Sequence, residues 1–151
     1  MKKIYILLLV TTFLFSSSPL SANCNSASPS SLKTSWYWYD RPTCCNVVID
    51  LLFSQVQNEV NHYYKDYLTQ LPLVAPFMME LISIERTSEI GPEGYLVTVE
   101  ANPYLGAHNS VGTDHITFGI NLYGIQFIEF KHIKSEELMP KHQKYIIKPL
   151  P

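Results

Sequence analysis

Six side chains in the second half of the chain could do chemistry if folding brought them together. His108, Asn109, Asp114 and His115 lie in one stretch, and Glu129 and His132 in the next. Two histidines and a carboxylate can hold a divalent cation such as zinc and leave a position open for water. His108, Asp114 and His132 are therefore the candidate ligands of a metal-assisted hydrolase. No pair of them stands at the i, i+4 spacing of a helix face, so the set depends wholly on tertiary approach. The plainer reading gives Asn109 and Asp114 the task of fixing turns through side-chain to backbone hydrogen bonds. Gly106 and Gly112 then supply unusual φ angles, and the histidines are polar anchors. Cys44 and Cys45 stand where a helix is expected to begin, and its dipole favours a thiolate there. A cysteine–histidine enzyme would also need a histidine beside them, and no spacing places one. Ser110 adjoins a His-Asn pair but fits no nucleophile-elbow pattern. For binding rather than catalysis, Trp36-Tyr37-Trp38-Tyr39 is a run of four aromatics that could stack on sugar rings or peptides. The plainer reading of the same run is an extended edge segment with alternate rings packed inward, which needs no ligand.

These residues need elements to hold them. Thr43 is a good N-cap, and from there Val48, Leu52, Val56, Val60, Tyr64 and Leu68 recur every four residues, flanked by Val47, Leu51, Tyr63 and Tyr67. That stripe predicts an amphipathic helix of about seven turns, with Gln55, Gln57, Asn58, Glu59, Asn61 and Lys65 outside it. Pro72 and Pro76 end any continuation. Four strand-like runs follow. The first covers 79–87, with Ile82 and Ile84 on one face and Leu81 on the other. Gly91-Pro92-Glu93-Gly94 turns the chain into 95–101, where Tyr95, Val97 and Val99 alternate with Thr98 and Glu100. The connection 102–114 is long for a hairpin and leads to Ile116, Phe118 and Ile120. Asn121-Leu122-Tyr123-Gly124 is a hairpin signal into 125–132. One helix followed by an antiparallel meander implies an α+β layer structure.

Composition bounds the rest. The chain has 151 residues, 46% hydrophobic and 16% charged. Lys2 and Lys3 precede an apolar stretch from Ile4 to Phe15, and a Ser-rich segment ends at Ala22, the layout of a secretory signal. Cleavage after residue 22 leaves 129 residues, enough for one core and too few for two domains. Taking Lys2 and Lys3 from 11 basic residues leaves 9 against 13 acids, a balance of −4, so nothing draws the domain toward nucleic acid. Residues 23–43 read as a flexible lead carrying the aromatic run. Residues 134–151 read as a solvated Lys-rich tail, able at most to touch an anionic wall weakly through Lys131, Lys134, Lys141, Lys144 and Lys148. Cys24, Cys44 and Cys45 are the disulfide candidates. One bridge from Cys24 to Cys44 or Cys45 would leave a spare thiol, because adjacent cysteines pair only under strain.

The stretch Ala101-Asn-Pro-Tyr-Leu-Gly-Ala-His-Asn-Ser-Val-Gly-Thr-Asp-His-Ile-Thr-Phe118, followed by Gly124-Ile-Gln-Phe-Ile-Glu-Phe-Lys-His132, closely resembles domain-of-unknown-function family 3888. Tyr63-Tyr64 and Ile82-Ser-Ile-Glu-Arg86 resemble it as well, so the likeness runs from about Cys45 to His132. It implies a small exported protein of an endospore-forming Gram-positive bacterium. It carries over no catalytic residue.

Together these readings give an α+β domain over 44–133, one long amphipathic helix on a four-stranded antiparallel sheet, similar to the cystatin-like or NTF2-like class. The expected function is that of an exported, non-catalytic module of the cell envelope or extracellular space. It would need no cofactor and no membrane span after signal cleavage, and would bind a peptide, small molecule or protein. Trp36, Trp38, His108, Asn109 and Asp114 are its candidate contacts. The alternative is the metal-assisted hydrolase on His108, Asp114 and His132, with zinc or another divalent metal.

Overall fold

The computed structural model describes residues 41–151. The signal-like segment 1–22, Cys24 and the aromatic run 36–39 with Trp36 and Trp38 lie outside the described residues.

Helix α1 spans Thr43–Tyr64, 22 residues. Thr43 is its first helical residue rather than its cap. Pro42 occupies the cap, and the Cys45 N–H donates to its carbonyl oxygen at 2.9 Å. The buried stripe is Cys45, Ile49, Leu52, Val56, Val60 and Tyr64. The stripe therefore enters through Cys45 and Ile49, while Val47 and Leu51 are 51% and 65% exposed. The sequence contained two overlapping apolar stripes here, and the sheet selected one. The helix stops short of Leu68 because the chain turns at Lys65–Tyr67 and Leu68 forms a bridge with Ile146. Gln57, expected on the solvent side, makes that return possible. Its Nε2 donates to Asn61 Oδ1 and the Pro72 carbonyl oxygen, and its Oε1 accepts from the Val74 N–H at 2.8 Å.

Strands β1 (Met79–Thr87), β2 (Gly94–Ala101), β5 (Gly112–Asn121) and β6 (Gly124–Ser135) make one antiparallel sheet in that order. The expected long loop between β2 and β5 holds a second, two-stranded hairpin, β3 (Tyr104–Leu105) with β4 (Asn109–Ser110). Helix α1 covers one face of the four-stranded sheet, where Met79, Val97, Val99, Ala101, Ile116 and Phe118 are buried beneath it. The opposite face carries polar rows, among them Glu100 beside His115 at 3.0 Å and the Thr98 and Thr117 hydroxyls at 3.0 Å. Strict alternation fails at three places, each a shift of register: between Leu81 and Ser83 in β1, and twice along the β5–β6 ladder. The first shift pairs Ile84 with Val97, on the same side as Leu81, so Ile82 and Ile84 do not share a face as their spacing predicted.

The chain after β6 is no solvated tail. A 3-10 turn, Pro140–Tyr145, brings it back, Leu138 and His142 are buried, and the Ile147 N–H donates to the Tyr67 carbonyl oxygen at 2.8 Å. Lys131, Lys134, Lys141, Lys144 and Lys148 remain exposed along this stretch. Among the described residues no helix is long and apolar enough to cross a membrane.

Candidate functional site

Asp114 is fully buried, and a carboxylate without water must find its hydrogen bonds inside the protein. Three elements supply them. The last residue of α1, Tyr64, donates its hydroxyl to Oδ2 at 3.1 Å. His132 on β6, paired with Asp114 across the ladder, places Nδ1 2.6 Å from Oδ1. His132 Nε2 is in turn 2.9 Å from Ser135 Oγ, and Ser135 donates to the Pro151 main-chain oxygen at 2.6 Å. Helix, two strands and C-terminal segment thus meet in one chain of polar contacts.

The placement of Ser135 depends on a bulge. Neighbours in a strand point to opposite faces, so residues three apart normally disagree. Asp114 faces His132, Thr113 faces Lys134 and Gly112 faces Ser135, which leaves Ile133 without a partner. That extra residue returns Ser135 to the face of His132, the kind of re-aiming that bulges perform. Gly112 makes room for the group. A Cβ there would lie 2.6 Å from the Lys134 carbonyl oxygen, 2.7 Å from Tyr64 Oη and 2.9 Å from His132 Cε1. Tyr63 lies nearly parallel to the His132 ring at 5.4 Å and to Phe130 at 4.5 Å.

Burial pushes the Asp114 carboxyl above the usual aspartate range, against the pull of the His132, Tyr64 and His115 contacts. Burial, then the Asp114 charge, pushes the Tyr64 phenol up, so it stays a proton donor. With Asp114 ionised, the His132 Nδ1–H donates to the carboxylate, and Nε2 can accept from Ser135 only when the Ser135 proton is not given to Pro151.

The sequence-derived candidates separate here. Asp114 and His132 come together. His108 does not join them, because the β3–β4 hairpin carries it to a tip where its φ is 59° and its ring meets Phe77 and Tyr104. Asn109 Nδ2 donates to the Leu105 carbonyl oxygen across the same hairpin. Among the described residues no group of three or more His, Cys, Asp or Glu side chains could hold a metal ion, so the trio His108, Asp114, His132 is not assembled. Cys44 is half-buried and Cys45 buried on the first turn of α1, while Cys24 lies outside the described residues. Glu129 is opposite Thr117 on the polar face, away from Asp114. Tyr64 and Ser135 were missed as site residues. Tyr64 read as one more apolar stripe position. Ser135 gave one weak signal, the break in alternation at Ile133.

Two clefts flank the group. One, of about 470 Å³, runs between α1 and β6 and is lined by Asn58, Glu59, His62, Tyr63, Phe127 and Phe130. The other, of about 340 Å³, lies beside Ser135, under the C-terminal segment.

The model of the family described as protein of unknown function (DUF3888) matches residues 45–134. That span holds Tyr64, Gly112, Asp114 and His132 and stops one residue before Ser135. No curated protein and no solved structure matches the chain. On a match that covers more than half of its length, the chain belongs to the DUF3888 family of proteins of unknown function.

Proposed function

We propose that this protein is an exported module of the cell envelope or extracellular space that binds an aromatic or apolar side chain of a peptide. The cleft between α1 and β6 carries the reading. Its walls are Tyr63, Phe127 and Phe130, with Phe127 45% exposed, and its rim is polar through Asn58, Glu59 and His62. A volume of about 470 Å³ and an apolar wall with a few polar groups are the properties of small-ligand sites. Tyr63 is stacked on Phe130 and His132, so this wall is fixed before a ligand arrives. The Asp114–Tyr64–His132 contacts beneath it keep helix and edge strand at that separation. The secretory layout of residues 1–22 supports export, and the exposed lysines after β6 support weak, salt-sensitive contact with an anionic wall. A helix ahead of an antiparallel meander favours the cystatin-like class over the NTF2-like one.

Titration of the isotope-labelled protein with N-acetyl-phenylalanine amide and N-acetyl-tryptophan amide tests the cleft. Amide shifts should concentrate at 58–63 and 127–130 and vanish in Phe127→Ala. Shifts elsewhere, or none at millimolar ligand, overturn the reading. Protein recovered from culture medium should begin at Asn23, and retention of Met1 inside the cell would reject export.

A further inference from the structure

We infer that Asp114, His132 and Ser135 form an acyl-transfer triad that hydrolyses small neutral carboxylic esters in the cleft beside Ser135. This goes beyond the binding reading and uses a different cleft. The contacts are those such a triad requires: carboxylate to Nδ1 at 2.6 Å and Nε2 to the hydroxyl at 2.9 Å. Burial is graded in the useful direction. Asp114 is fully buried, the His132 side chain is 12% exposed, and Ser135 is half-buried on the wall of the 340 Å³ cleft. Tyr64 holds the second carboxylate oxygen and Tyr63 covers the imidazole, so the ring has little freedom to turn. The bulge at Ile133 is what aims Ser135 at Nε2.

The cleft indicates the substrate class. Leu138, Ile146 and Leu150 offer an apolar wall to an acyl or alkyl chain, and the acids of the lining are Glu136, itself paired with Lys134, and Glu137 beside it. Gln143, also on the wall, brings an amide donor that can meet a carbonyl oxygen. The Ser135 hydroxyl already donates to the main-chain oxygen of Pro151 at 2.6 Å. Serine has one proton, so while Pro151 takes it Nε2 cannot, and the reactive arrangement is the one in which Pro151 has moved aside.

In that arrangement Ser135 Oγ forms a bond to the ester carbonyl carbon as its proton passes to Nε2, giving an imidazolium paired with Asp114. Collapse breaks the bond to the alkoxy oxygen, which leaves as alcohol with the proton from Nε2. Water then attacks the acyl-serine, again losing its proton to Nε2, which returns it to Oγ as the acid departs. Ester and water become acid and alcohol, and no other reactant enters.

The test exposes the full chain to a fluorophosphonate and to p-nitrophenyl acetate and butyrate. Intact mass and peptide mapping should show one phosphonyl adduct, on Ser135. Nitrophenolate release should fall at least ~100-fold in Ser135→Ala and His132→Gln, the range expected when a nucleophile or its base is lost. His108→Ala, on the distant hairpin, should leave it unchanged. An adduct elsewhere, no adduct, or equal release by a folded Ser135→Ala overturns the triad. If Ser135→Ala does not fold, the site of the adduct on the unaltered chain decides alone. The Phe127→Ala titration is independent of these results, so either reading can fail without the other.

Discussion

Replacing Gly112 by alanine puts one methyl group into the point where α1, β5 and β6 crowd together. The new carbon would stand 2.6 Å from the Lys134 carbonyl oxygen, 2.7 Å from Tyr64 Oη and 2.9 Å from His132 Cε1. Carbon–oxygen contacts normally close no nearer than about 3.3 Å, so each oxygen must retreat by roughly 0.6 Å or more. The Lys134 oxygen belongs to the backbone of a paired strand and can retreat only if the β5–β6 ladder opens. The cheaper relief is for Tyr64 to withdraw, which leaves Asp114 with one fewer donor in a dry interior. Overpacking costs about 1–3 kcal/mol, and an unsatisfied buried polar group adds about 1–3 kcal/mol. A combined loss of about 2–6 kcal/mol would consume much of a typical stability of about 5–15 kcal/mol. With a urea slope of about 1–3 kcal/mol per molar, the unfolding midpoint should fall by roughly 2 M. Gly119→Ala in the same strand is the control. Its methyl meets only side-chain atoms, Ile90 Cδ1 at 3.0 Å and Gln126 Cγ and Nε2 at 3.1 Å, which can swing away. It should cost about 1 kcal/mol or less. Equal midpoints for the two variants, or an unmoved His132 ring signal in Gly112→Ala, would refute the packing argument.

Asp114→Ala strands the Tyr64 and His132 donors and should cost about 3–5 kcal/mol, whereas Asp114→Asn keeps an acceptor for His132 and should cost less, both read from urea unfolding. Because burial raises the folded pKa of Asp114 above the ordinary 3.8, the folded chain binds the extra proton between the two values. Asp114 therefore contributes a stability that falls as pH rises through that window, and Asp114→Asn should remove this part of the slope in unfolding measured from pH 3 upward. Gln57→Ala removes the two contacts, to Pro72 and Val74, that tie the return segment to α1, with an expected cost of about 1–3 kcal/mol and faster amide exchange at Val74. Leu138→Ala should cost about 2–5 kcal/mol by the same urea assay, whereas a solvated tail would lose nothing.

The sheet was legible because alternation survives wherever neither bulge nor edge intervenes. Val97, Val99, Ile116 and Phe118 sit inside as their spacing requires, and Asn121-Leu122-Tyr123-Gly124 makes the turn it signals. The face of α1 was less so. Two stripes share Leu52, Val56, Val60 and Tyr64, and only tertiary contact chooses between Ile49 and Val48 as their extension. The site suffered most. A bulge is one residue of extra length, and the order His132-Ile133-Lys134-Ser135 marks it only by an apolar Ile133 that falls off the alternation. His108 looked like a partner of Asp114 because both lay in one supposed loop. A hairpin of two residue pairs inside that loop separates them, and strands so short leave no periodic trace.

The chain after the β5–β6 turn joins the body through the ladder of β6 on β5, the bridge of Leu68 on Ile146, and backbone hydrogen bonds of Thr69 to Tyr145, Ile147 to Tyr67 and Glu136 to Val111. The turn itself presents Leu122 at 77% and Tyr123 at 88% exposure. Residues 124–151 are accordingly one contiguous piece, held to the body by non-covalent contacts and a single covalent link, with an exposed turn ahead of it. Split there, the protein is a pair of complementary fragments, the smaller one a strand and strap that reconstitutes the polar chain only when it docks. Left whole but crowded, two copies can trade this piece, each lending His132 and Ser135 to the other's Asp114.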